Sequence, residues 1–113
     1  MGAPSDFQLE ANHAARRWLD LHPQSRPLVI AYDVRRCCGG GKVCQVRFRE
    51  LSSKDDPAQF ASGRMDDGTR VLIDRRAAAR LPQKFALTTH GLGRMKHLDV
   101  DLAPEQWGTL LYD

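Results

Sequence analysis

The sequence lacks any long apolar run, since no stretch of its 113 residues approaches the roughly 18 consecutive apolar residues of a membrane span. Its first residues also lack the basic region followed by an apolar region that marks a secretory signal. We therefore expect a cytoplasmic protein without membrane contact, in a compartment where thiols stay reduced. Cysteine is scarce, with three residues. An odd number of cysteines in a reducing compartment argues against structural disulfides.

The sequence also lacks runs of five like charges. Its 17 basic and 14 acidic residues give a net charge of +3. A small, dispersed excess of this kind is typical of a solvated surface, so nucleic-acid binding is not expected. There is no internal repeat or low-complexity segment. With 42% hydrophobic residues, the chain is expected to form a single domain over 1–113 around one core.

Apolar spacing and turn signals predict a mostly β, α+β fold. Residues 9–21 show near-helical apolar spacing and predict an N-terminal helix, which Pro23 ends. Segments rich in β-forming residues predict strands at 28–34, 43–50 and 69–74.

The rest of the chain divides into shorter elements. Residues 52–63 predict a polar connection. Asp74 predicts the N-cap of a short helix that ends before Pro82. Segments 85–88 and 95–102 predict a hairpin around the turn sequence HGLG.

All three cysteines lie in the ten residues RRCCGGGKVC, 35–44. The GGGK run is not a phosphate loop, because Val43 follows Lys42 where Ser or Thr is required, and Arg36 stands where the first glycine should be. A disulfide between Cys37 and Cys38 would be strained, since adjacent Cα atoms lie only ~3.8 Å apart.

A hairpin of strands 28–38 and 43–50 predicts how the cysteines are arranged. The register that buries the most apolar side chains places Cys38 opposite Cys44, with Cβ atoms ~4.5–5.5 Å apart, and leaves Cys37 displaced towards solvent. One face then carries Ile30, Tyr32, Val34, Cys38, Cys44, Val46 and Phe48. Arg36 is the weak point of this register, because it must bend out of the apolar face.

The flanking residues favour reactive thiols. Arg35, Arg36 and Lys42 should stabilise thiolate, the form that attacks and that binds metal. A zinc site would need a fourth ligand from His90 or His97, but the usual C-x2-C spacing is absent. A buried cysteine can also act simply as a small hydrophobic residue.

The order of elements resembles the HesB-like domain of A-type iron–sulfur carriers. The resemblance covers roughly residues 8 to 102 and is strongest in DDGTRVLIDRRAAARLP, residues 66–82, where the family has a glycine turn and a strand ending in Asp. It implies a compact mixed-sheet pseudobarrel with an N-terminal helix and a short helix after the Asp74 strand. Such carriers use one cysteine in the first loop, which corresponds to Cys37 or Cys38, and a C-terminal Cys-x-Cys pair.

That C-terminal pair has no counterpart in this sequence. The doubled Cys37-Cys38 instead resembles a HesB-related branch in which the motif can occur as cysteine–selenocysteine, which implies redox chemistry.

Two functions from different classes follow. The first is a cysteine-dependent carrier of an iron–sulfur cluster or soft metal ion, with Cys37, Cys38 and Cys44 as ligands. Three thiolates leave a cluster incompletely ligated, so a homodimer, glutathione or a partner protein would complete it. The alternative is a small thiol oxidoreductase without a metal, in which Cys44 resolves Cys37 or Cys38.

A third interpretation is a non-enzymatic interaction module. Its apolar tail would contact a partner protein through Trp107, Leu110, Leu111 and Tyr112.

Overall fold

The described part of the chain forms a seven-stranded sheet with two α-helices. The structure is a computed structural model that describes residues 6–23, 25–36 and 42–106, and the backbone alone for 34–36 and 42–45. No helix within these ranges is long and apolar enough to cross a membrane. In chain order the elements are β1 (Phe7–Ala11), α1 (His13–Leu21), β2 (Leu28–Arg36), β3 (Lys42–Glu50), β4 (Phe60–Met65), β5 (Arg70–Asp74), α2 (Arg75–Ala78), β6 (Lys84–His90) and β7 (His97–Asp101).

The strands lie in the order β3-β2-β5-β4-β1-β6-β7. Strand β1 is parallel to both β4 and β6, and β2 is parallel to β5, whereas the remaining pairs are antiparallel. The two edge strands, β3 and β7, contact each other, so the mixed sheet is nearly closed into a barrel. The predicted fold class is confirmed: a mostly β structure with a helix near the N-terminus and a short helix after the Asp74 strand.

Strand alternation divides the apolar residues between two faces. The inner face packs against both helices and holds the larger cluster. Its fully buried members are Leu9, Ala15, Ile30, Val71, Ile73, Ala77, Leu87 and Val100. A smaller cluster on the outer face consists of Val29, Ala31, Phe60 and Leu72, with Leu51 packed against it. The strands therefore have the period of two that half-buried β structure requires.

The first strand differs from the sequence prediction. Residues 9–11 were expected to be helical, but they belong to β1, and helix α1 begins at His13. Leu9 is 1% exposed between its parallel neighbours, whereas Gln8 and Glu10 on either side of it are exposed. This alternation of exposed and buried residues is typical of a strand, and the helical prediction for the segment overlooked it.

Asn12 sets the boundary between β1 and α1. Its Oδ1 accepts a hydrogen bond from the backbone N–H of Ala15 at 2.9 Å, which is the geometry of a helix N-cap. Its Nδ2 donates to Oγ1 of Thr88 in β6 at 2.8 Å. The Asn12 side chain thus caps the helix and links it to the sheet through a hydrogen bond.

Strand β4 is a second difference, because 52–63 was predicted to be a polar connection throughout. The connection is confirmed only up to the short 3-10 turn Pro57–Gln59, after which Phe60 begins β4. The strand contains Gly63 because space there is limited. A Cβ atom at this position would lie 3.0 Å from Cδ1 of Leu9 and 3.2 Å from Cδ1 of Ile73.

The remaining elements follow the sequence closely. The predicted strand at 69–74 is β5, preceded by a turn in which Gly68 has φ of +89°, the left-handed region that favours glycine. Asp74 caps α2 through a hydrogen bond from the backbone N–H of Arg76, as predicted. The predicted hairpin is β6–β7, but β7 begins at His97 instead of residue 95.

Candidate functional site

The cysteine-containing segment joins the two strands of one hairpin. Strand β2 ends at Arg36 and β3 begins at Lys42, and these two residues are opposite each other in the antiparallel register. Cys37 and Cys38 fall in the connecting residues and lie outside the described part of the chain. Cys44 is the third residue of β3, and its Cα pairs with that of Val34.

The predicted hairpin register is therefore wrong. Cys44 was expected opposite Cys38, but the observed pairing is shifted by four residues and places it opposite Val34. The expected displacement of Cys37 towards solvent concerns a residue outside the described ranges.

The observed register has a physical explanation. It pairs Ile30 with Phe48 and Tyr32 with Val46, so apolar residues face apolar residues directly. The predicted register placed Arg36 within the apolar row, whereas the observed one places it opposite Lys42 at the end of the hairpin. Cys44 occupies the row of β3 positions that contains Val46 and Phe48 in either register, because positions two residues apart on a strand share a face.

Two charged contacts lie along the hairpin, one on each face. Nε of Arg47 lies 3.0 Å from Oδ2 of Asp33, diagonally across β2 and β3. Arg76 of α2 donates from Nη2 to the backbone carbonyl of Tyr32 at 2.7 Å and lies over the Tyr32 ring at 5.7 Å. The hydrogen bond from Arg76 to Asp74 raises the pKa of the guanidinium, which therefore remains charged.

Arg76 adds a fixed positive charge beside β2, four residues before the strand ends. It was not among the residues singled out from the sequence. The signal was available in the run Asp74-Arg75-Arg76, because an N-cap Asp is well placed to orient an arginine in the first helical turn.

Of the two histidines considered as metal ligands, only His97 lies beside β3. His90 and His97 are cross-strand partners in β6 and β7. His97 lines a cavity of about 240 Å³ between β3 and β7, together with Trp18, Val46, Arg47, Phe48 and Leu98. His90 does not line this cavity, and its Nε2 lies 3.7 Å from Oδ2 of Asp99.

A hydrogen bond determines the free ring nitrogen of His97. Its Nδ1 lies 2.8 Å from the carbonyl oxygen of Met95. Because a carbonyl only accepts, Nδ1 must carry the hydrogen, which leaves Nε2 of the neutral ring with its lone pair. A histidine oriented in this way by a backbone carbonyl is suited to bind a metal through Nε2.

Within residues 6–23, 25–36 and 42–106, no three His, Cys, Asp or Glu side chains lie close enough together to hold a metal ion. The side chains of Cys37, Cys38 and Cys44 are not among those described there. The predicted metal site consequently stays a prediction.

No known protein family model matches this sequence, and no curated protein is significantly similar to it.

Proposed function

We propose that the protein carries an iron–sulfur cluster or another soft metal on a HesB-like scaffold, with Cys37, Cys38 and Cys44 as thiolate ligands. The observation that carries the proposal is the pairing of Arg36 with Lys42. This pairing brings the end of β2 next to the start of β3. All three cysteines therefore belong to one short segment, residues 37–44, at that end of the hairpin. Thiolates grouped in this way suit iron–sulfur clusters and soft metal ions.

The mixed, nearly closed sheet with a helix after β1 and another after β5 supports the HesB-like assignment. Charge supports the thiolate form, because Arg36 and Lys42 flank the cysteines in the chain. Positive charge near a thiol lowers its pKa. Three thiolates leave one coordination position open, which a second copy, glutathione or a protein partner would fill. Such a carrier would act in the reducing cytoplasm.

Anaerobic reconstitution with ferrous iron and sulfide tests the proposal. The expected product is coloured, with sulfide-to-iron charge-transfer absorption that each of Cys37→Ser, Cys38→Ser and Cys44→Ser weakens or abolishes. Size-exclusion chromatography of the loaded protein would show whether loading produces a dimer. A colourless, iron-free product from correctly folded protein would refute the proposal.

A pair of histidine variants tests whether the cavity between β3 and β7 contributes a ligand. His97→Ala should change the metal content or the spectrum of the loaded protein, because His97 shares that cavity with Val46 and Phe48. His90→Ala is the matched control on the neighbouring strand and should have no effect. Equal effects of the two substitutions would show that His97 contributes only to structure.

The alternative function is thiol oxidation and reduction. Peroxide would oxidise a thiolate at Cys37 or Cys38 to a sulfenic acid and be reduced to water. The thiol of Cys44 would then displace a second water and form the disulfide. The observed register removes the direct cross-strand pairing of Cys38 with Cys44 that favoured this chemistry, so it stays the alternative. A bridged product, two hydrogens lighter by mass spectrometry after mild peroxide, would favour it over the carrier function.

A further inference from the structure

The outer side of helix α1 and the β6–β7 turn enclose a pocket whose ionisable residues are all basic. It has a volume of about 380 Å³ and is lined by His13, Ala14, Arg17, Trp18, Leu21, His22, Gly93, Arg94 and Lys96. We call it the basic pocket. Its described lining includes no cysteine, and the inference drawn from it does not rest on the function proposed above.

The described lining of the basic pocket groups several cations and contains no Asp or Glu side chain that could neutralise them. Arg16, one residue earlier on α1, is held by Asp66 and Asp67 at 2.6 and 2.9 Å. In contrast, Arg17, Arg94 and Lys96 form no ion pair within the part of the chain that the structure describes. Their uncompensated charge is available to an anionic partner.

Exposed apolar residues belong to the two elements that form the pocket: Leu21 lines it, and Leu92 and Met95 lie in the turn that contributes Gly93 and Arg94. Leu21, Leu92 and Met95 are 72%, 87% and 77% exposed. They are the exposed large hydrophobic residues of the described chain, and all three belong to α1 or the β6–β7 turn. Exposed apolar residues grouped beside unpaired cations are typical of a protein-interaction surface.

The ring of Trp18 already makes two contacts within the protein. It stacks on His22 with centroids 4.1 Å apart and an interplanar angle of 16°, and its Nε1 donates to the carbonyl of Lys96 at 3.4 Å. A single-stranded nucleic acid would need a free aromatic face for stacking. Bases cannot stack on the aliphatic side chains beside this pocket. The apolar residues of a peptide, in contrast, would pack against those side chains and bury them.

We infer that the basic pocket binds an acidic peptide segment of a partner protein, one that carries apolar residues among its carboxylates. Its carboxylates would pair with Arg17, Arg94 and Lys96, and its apolar residues would cover Leu92 and Met95. Electrostatic complementarity of this kind sets partner choice and the rate of association.

Fluorescence anisotropy with a labelled peptide of alternating glutamate and leucine tests the inference at about 0.15 M salt, where screening limits non-specific attraction. The double variant Arg17→Glu, Arg94→Glu should bind about tenfold more weakly, because it replaces two attractions with two repulsions. The matched control is Lys54→Glu, Lys84→Glu, which changes the net charge equally at exposed residues outside the pocket. It should change affinity by less than about twofold.

Two further variants make the test specific. Leu92→Ser with Met95→Ser should weaken binding severalfold, as should a peptide with serine in place of leucine. Amide shifts on peptide titration should be confined to 13–22 and 91–96. A variant with Cys37→Ser, Cys38→Ser and Cys44→Ser should bind normally, so failure of the carrier proposal is distinguishable from failure of this one.

Several results would overturn the inference. Equal weakening by the two charge reversals would mean that only net charge attracts the peptide. Tighter binding of an oligonucleotide of equal charge, insensitive to Leu92→Ser and Met95→Ser, would make the pocket a nucleic-acid site. Absence of shifts in both segments at millimolar peptide would show that the pocket binds no such ligand.

Discussion

Replacement of Asn12 by alanine tests how the first strand passes into the helix. The change removes the N-cap of α1, which typically stabilises a protein by about 1 kcal/mol, and the hydrogen bond to Thr88, worth about 0.5–1 kcal/mol at an exposed position. Asn12→Ala should therefore lower the free energy of unfolding by about 1–2 kcal/mol. At about 4 °C per kcal/mol for a domain of this size, the melting temperature should fall by about 4–8 °C.

Urea denaturation followed by tryptophan fluorescence and circular dichroism would measure the loss. Asn12→Asp is the matched control, because a carboxylate caps a helix as well as an amide does and favours the positive end of the helix dipole. It should stay within about 0.5 kcal/mol of the parent protein. In a double-mutant cycle, Thr88→Val should cost less in the Asn12→Ala background than alone. Equal losses for Asn12→Ala and Asn12→Asp would refute the capping argument.

Four other substitutions probe the core, the loss of stability at acid pH and the cysteines. Gly63→Val should destabilise by about 1–3 kcal/mol through overpacking against neighbouring inner-face side chains, and an unchanged melting temperature would contradict the packing described. The hydrogen bonds from Arg49, at 2.7 and 2.8 Å, lower the pKa of Asp55 to about 2 from its usual 3.8. Because the folded pKa is depressed, this stabilisation is present above pH 3.8 and should be lost as the pH falls towards 2. Asp55→Asn should flatten that part of the profile of stability against pH. An unaltered profile would exclude the Arg49–Asp55 pair as the cause of the loss. Cys44→Ser should cost more stability than Cys37→Ser, because Cys44 occupies the row of β3 positions that contains Val46 and Phe48, whereas Cys37 lies between β2 and β3 in the chain. The reverse order in thermal melts would show that assignment to be wrong.

Local sequence patterns were sufficient where an element carries its own signal. Asp74 supplied a cap, Gly68 a turn, and the alternation in β3 a strand, and each is found where it was predicted. Strands β1 and β4 were missed because what stabilises them is distant in sequence. Gly63 is a poor strand residue until Leu9 and Ile73 lie on either side of it.

The candidate site shows the same division. The grouping of the three cysteines is evident from the chain itself, and the face on which Cys44 lies follows from alternation. The register is harder to predict, because two pairings both bury apolar rows; the observed one places Arg36 at the end of the hairpin, opposite Lys42. The proximity of His97 to β3 arises only when the two edges of the sheet approach, which no local pattern encodes.

The central position of β1 has a consequence for how the protein is made. This strand emerges from the ribosome first, yet both of its neighbours, β4 and β6, are synthesised more than fifty residues later. Until then the early chain contains an apolar strand without its partners. Within the described residues, β1 is also the strand that joins β3-β2-β5-β4 to β6-β7 in the sheet. Pairing across such sequence distances is slow, so β1 should stay unpaired until its neighbours have been synthesised, and the nascent protein should need protection from aggregation until β6 is available.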